Sequence, residues 1–172
     1  LADEMTGLVA IDITDPYTPT IIQTIDTPHA AYDCAVSGNY VYLVDASTGL
    51  HTIQISDLAT PSMVGTCTTS NESHEVCVEG NFAYVADGAE GLQVFNISDP
   101  INPTAAGGYN LTGYATDVSV SGDYAYVAGT GLTVLNISEP ISPAYAGSYS
   151  SPGGANDLWI EGDTLYIADL TR

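Results

Sequence analysis

The chain has 172 residues, 45% of them apolar, which is enough to bury a core and excludes a disordered polymer. Its 21 Asp and Glu face a single basic residue, Arg172, for a formal charge of −20 at pH 7, so phosphate backbones and anionic lipid are repelled and nucleic-acid binding is excluded. No run of 18 apolar residues offers a membrane-spanning helix. The chain begins without Met and without a charged-then-apolar leader, and reads as an excerpt or a processed chain.

In chain order, one unit recurs. The phrase "GLVAIDITDPYTPT" returns as "GLHTIQISDLATPS", "GLQVFNISDPINPT" and "GLTVLNISEPISPA", with leading glycines Gly7, Gly49, Gly91 and Gly131 spaced by 42, 42 and 40 residues. This strand is apolar on both faces, as burial from two sides requires. An Asp/Glu-Pro-x-x-Pro turn follows: Asp15-Pro16 to Pro19, Asp99-Pro100 to Pro103 and Glu139-Pro140 to Pro143, with Leu58 replacing the first Pro in the second unit. Proline stops continued ladder pairing, so the next strand turns towards an outer edge. Each later unit opens with a short apolar strand, then a two-residue hairpin turn (Gly38-Asn39, Gly80-Asn81, Gly122-Asp123, Gly162-Asp163) and a Tyr/Val-rich strand: "YVYLV", "FAYVA", "YAYVA", "LYIA". No helical period of useful length occurs. Four antiparallel strands per unit predict an all-β fold, a β-propeller of four-stranded blades in four repeats of about 42 residues. The alternative is a linear β-solenoid.

The combined pattern, as in "GLQVFNISDPINPTAAGGYNLTGYATDVSVSGDYAYVAG", resembles the LVIVD repeat family over essentially the whole chain. The resemblance implies a β-propeller, a secreted or surface-attached setting and no general enzymatic activity. The chain departs from the family pattern by placing Gln54, Asn96 and Asn136 where the family has a strand-end Asp, which Asp12 retains.

The ends are complementary in phase: Leu1-Ala2-Asp3 aligns with Leu43-Val44-Asp45, and the chain closes after another second strand. Residues 1–172 read as one repeat region, with three readings of its ends. They complete one blade within the chain, they complete a blade with the next molecule in a head-to-tail fibre, or the region belongs to a longer chain.

Four acidic residues recur at the mouth of the first strand: Asp33, Glu75, Asp117 and Asp157. Gathered round a channel they would form a ring of hard oxygen ligands suited to Ca²⁺; the alternative is that each caps a turn through backbone N–H groups. His29, His51 and His74 sit at different repeat phases with no nucleophile elbow, zincin or triad spacing, and are expected in loops. With no Lys, Schiff-base chemistry is excluded.

Sequons at Asn71, Asn96, Asn110 and Asn136 are candidates for N-glycosylation; Asn71 and Asn110 are expected in exposed loops, Asn96 and Asn136 at strand ends. Cys34 and Cys77 fall in the first strands of adjacent units with opposite parity, and so are candidates for a bridge. Cys67, in an outer strand, is expected to be free or to face another molecule.

The leading functional expectation is a non-catalytic structural or adhesive module, extracellular or at the cell surface. It would meet protein or polysaccharide, or further copies of itself, with no nucleic acid and no membrane insertion. The runner-up is a propeller that binds a carbohydrate or a cation at the channel mouth; an enzyme comes third. No cofactor other than Ca²⁺ is implied.

Overall fold

The computed structural model describes residues 1–170. These form five antiparallel sheets and, among the described residues, no helix. The first sheet has three strands: β1 (Ala2–Asp3), β2 (Gly7–Asp12) and β3 (Thr20–Ile25). The second runs β4 (Ala31–Ser37), β5 (Tyr40–Asp45), β6 (Gly49–Gln54) and β7 (Ser62–Thr68). The third runs β8 (Glu75–Glu79), β9 (Phe82–Ala86), β10 (Leu92–Asn96) and β11 (Thr104–Tyr109). The fourth runs β12 (Asp117–Ser121), β13 (Tyr124–Ala128), β14 (Leu132–Asn136) and β15 (Ala144–Tyr149). The fifth is a hairpin, β16 (Ala155–Glu161) and β17 (Thr164–Asp169). Of the expected four-stranded units three are seen whole; the repeats fall into five sheets rather than four, the terminal ones having three strands and two.

The turns follow the sequence. Gly38, Gly80, Gly122 and Gly162 all have φ of 57–58° while, among the described residues, no other residue type has positive φ, the pattern of a two-residue turn with glycine at its first position. After each third strand, a backbone bond closes the acidic turn: Thr18, Thr60, Asn102 and Ser142 N–H donate to Asp15, Asp57, Asp99 and Glu139 carbonyls. Leu58 in place of proline leaves this turn intact. The fourth strand is bent by a bulge at one repeated place, opposite Ala10/Ile11, Thr52/Ile53, Val94/Phe95 and Val134/Leu135.

The double-sided apolar strands are explained by four cores, one between each pair of consecutive sheets. Leu8 meets Val41, Leu43 and Ile53; Tyr42, Val44 and Leu50 meet Val76, Val85 and Phe95. Leu92 and Val94 meet Val118, Val127 and Leu135; Ala128 meets Leu158, flanked by Leu165 and Ile167. Burying each such side chain contributes about 1.5–3 kcal/mol relative to exposure. The first strands β4, β8, β12 and β16 lie side by side, so their N-terminal ends collect in one place. On the terminal sheets the outward faces stay uncovered. Ile11, Ile21 and Ile22 at one end and Trp159 and Tyr166 at the other are exposed, and an apolar cavity of about 300 Å³ opens beside Leu8, Ile11, Val36 and Val41.

Candidate functional site

Asp33, Glu75, Asp117 and Asp157 stand within the first residues of β4, β8, β12 and β16, and the packing of these strands brings all four carboxyls together. Two of them tie one sheet to the next. Asp33 Oδ2 accepts the Val76 N–H at 3.0 Å, and Asp117 Oδ2 accepts the Leu158 N–H. These two N–H groups belong to the neighbouring sheet, and Asp117 accepts a further one from Val118 of its own strand. Glu75 is one methylene longer and hydrogen-bonds Asp33 instead. Burial, then the charges of Asp33, Asp117 and Asp157, push Glu75 up to about 9, so it holds its proton at neutral pH. Burial and the neighbouring Asp157 push Asp117 up to about 7, against the Leu158 N–H that favours its charged form. Ca²⁺ calls for six to eight oxygens. The ring assembles, but as carboxyls bonded to one another and to backbone; among the described residues no group of three or more His, Cys, Asp or Glu is disposed to hold a metal ion.

One position earlier stand Tyr32, His74, Thr116 and Asn156. With Glu75, Asp117, Asp157 and Glu4 they line a cavity of about 690 Å³. Tyr32 and His74 stack with centroids 5.4 Å apart and planes within 2°; Tyr114 meets His74 edge-on at 5.3 Å and 65°. The Tyr114 hydroxyl donates to Glu72 Oε2 at 2.8 Å and lies 2.9 Å from His74 Nε2. Partial burial and that bond to Glu72 push Tyr114 up to about 12, so its hydroxyl remains a donor. Gly88 makes room for the ring: a Cβ there would come within 2.9 Å of Tyr114 Cζ. The aromatic group escaped sequence reading because its members are about 40 residues apart. The available signal was that the residue before each recurring acid differs in every copy.

His51 is not a loop residue. It lies within β6, 1% exposed, with Nε2 2.8 Å from Asp45 Oδ2 and Nδ1 3.2 Å from Thr66 Oγ1. Burial alone would raise Asp45, yet the bond to His51 and the N–H groups of Thr48, Ser47 and Gly49 outweigh it and hold the carboxyl below its ordinary value. The pair ties the β5–β6 loop to the interior of the second sheet. In the third sheet the equivalent Asp87 turns instead to Ser73, whose hydroxyl donates to Oδ1 at 2.9 Å, and burial pushes Asp87 up.

The sequons divide differently from expectation. Asn110 is exposed; Asn71 is half-buried, its Nδ2 3.4 Å from Glu90 Oε1, and the hydroxyl acceptor Ser73 is fully buried. Asn96 and Asn136 accept the N–H of Ser98 and Ser138 at 2.9 and 3.0 Å, the same turn that Asp12 makes with Thr14. The family's strand-end acid is thus a turn-holding acceptor, and an amide replaces it there. The Cys34–Cys77 bridge is corrected: both thiols are free. Cys34 packs into the core between the first and second sheets, Cys77 into the core between the third and fourth, so the two side chains point away from each other. Cys67 is also free and packs in the core between the second and third sheets, facing a neighbouring sheet of its own chain.

The LVIVD repeat model matches residues 1–27, 29–69, 71–111, 112–151 and 152–171, five segments where four were expected. No curated protein matches the chain. Among solved structures it is similar to the computationally designed Ika4 protein, at 11% identity and a TM-score of 0.70, over 84% of this chain and 88% of that one. It is also similar to the designed Ika8 protein, at 11% identity and a TM-score of 0.69 over 87% of this chain, where it spans 46% of that chain's length. At such identity the likeness shows the fold alone, a repeated propeller-like arrangement of antiparallel sheets.

Proposed function

Because the chain belongs to the LVIVD repeat family, we propose that it is a non-catalytic structural or adhesive β-propeller module of the cell surface or extracellular space. The observation that carries this reading is the use made of the repeated polar residues. Asp12, Asn96 and Asn136 hold turns, Asp33 fastens the second sheet to the third, and Asp117 fastens the fourth to the fifth. The positions that recur serve architecture. The charge of −20 suits an exposed, soluble surface, and the exposed Asn110 supports glycan attachment there.

Self-association fits the same reading. The outward apolar faces of the first and fifth sheets are surfaces on which further sheets of the same kind would pack. Proteinase K treatment of intact cells, followed by immunodetection, tests the location: loss of the protein from unlysed cells is expected, and full protection refutes it. Intact mass before and after glycan removal tests Asn110. An unmodified mass removes the glycan from the proposal.

A further inference from the structure

We propose that the cavity at the N-terminal ends of β4, β8, β12 and β16 is a carbohydrate site, in which a neutral pyranose stacks on the Tyr32 ring and is hydrogen-bonded by Thr116, Asn156 and Asp157. This rests on the adhesive reading above and narrows its polysaccharide partner to one chemistry and one place.

The first support is the aromatic wall. Tyr32 is 36% exposed although it belongs to a strand of the second sheet, and one of its faces is already covered by His74. His74 is braced by Tyr114, which is itself anchored on Glu72. A ring that only filled space would not need three further side chains to set its plane. A fixed, open aromatic face next to a cavity of about 690 Å³ is a preorganised platform for an apolar sugar face, and the volume falls in the range of small-ligand sites.

The second support is the mixture of polar groups that lines the same cavity. Sugar hydroxyls both donate and accept. The cavity offers a hydroxyl (Thr116), an amide (Asn156), an exposed carboxylate (Asp157) and a carboxyl that keeps its proton (Glu75), donors and acceptors together. The Thr116 hydroxyl donates to the Ala155 carbonyl at 3.0 Å, which leaves its oxygen free to accept. A hard cation needs free oxygens converging on one point, which this wall does not offer. Acidic sugars are repelled by Glu4 and Asp157, with no Lys or Arg among the described residues to offset them.

The test uses the purified chain on an array of neutral and acidic oligosaccharides in EDTA. Neutral hexose and N-acetylhexosamine oligosaccharides that are retained are then titrated with saturation-transfer NMR. Retention of neutral ligands is expected, with Tyr32→Ala weakening binding about ten-fold or more, Tyr32→Phe retaining most of it, and Asn156→Ala weakening it several-fold. Tyr145→Ala, on the remote outer strand β15, should leave affinity unchanged. Circular dichroism of each variant checks folding, and Asn156→Ala, at an exposed position, keeps the test valid if Tyr32→Ala misfolds. The proposal is overturned if no neutral oligosaccharide is retained at millimolar concentration, if the Tyr32 and Asn156 variants bind like wild type, or if binding appears only when Ca²⁺ replaces EDTA. Surface exposure on cells together with no glycan retention would sink this site and leave the structural reading standing.

Discussion

Replacing Glu75 by Gln should stabilise the protein at neutral pH and do nothing at acid pH. Glu75 is raised from 4.5 to about 9 by burial and by Asp33, Asp117 and Asp157. The folded chain therefore keeps a proton that the unfolded chain releases above 4.5, and stability falls as pH rises from about 4.5 to 9. At pH 7 the unfolded carboxyl is about 2.5 units past its midpoint, which at about 1.4 kcal/mol per unit gives an upper bound of roughly 3.4 kcal/mol. The group is partly solvated, so screening reduces this to about 1–2 kcal/mol. A Gln amide keeps the hydrogen bond to Asp33 without the ionisable proton. Thermal unfolding followed by circular dichroism should show Glu75→Gln melting about 2–8 °C above wild type at pH 7, and level with it at pH 4.5. Wild type should itself melt higher at pH 5 than at pH 9, with Asp117, raised to about 7, adding to the slope. A variant less stable than wild type at pH 7, or a wild-type melting point that climbs from pH 5 to 9, would refute the clustered, proton-holding carboxyls.

Further outcomes follow from the packing. His51→Ala leaves Asp45 buried without its imidazole partner and should cost about 3–5 kcal/mol in urea unfolding; a loss under 1 kcal/mol would show the pair to be incidental. Gly107→Ala should cost about 1–3 kcal/mol, since a Cβ there would lie 2.3 Å from the Ile141 carbonyl oxygen. Gly147→Ala, at the same repeat position, should be nearly neutral because nothing lies within 4 Å; equal effects at the two sites would contradict the uncovered outer strand of the fourth sheet. Thiol titration of the denatured, unreduced chain should count three free thiols, and a count of one would reinstate a bridge.

What the residues determined by themselves is the unit: its length, its hairpin glycines, its acidic turns and the burial of its third strand on both faces. These are local or periodic properties, carried by φ preference, proline chemistry and two-residue alternation, and they need no partner to be specified. The change from Asp12 to Asn96 and Asn136 stood in the sequence only as a departure from the family pattern; the folded turn shows that either side chain supplies the acceptor oxygen it needs. Alternation, however, says that a strand has two faces without saying which face meets the preceding sheet. That is why Cys34 and Cys77 could be imagined facing each other, when one looks back a sheet and the other looks forward. The proton on Glu75, the His51–Asp45 pair and the stack of Tyr32, His74 and Tyr114 likewise came only from the packed sheets. Each depends on distances between residues far apart in the chain, and Coulomb interaction, burial and ring contact act through space.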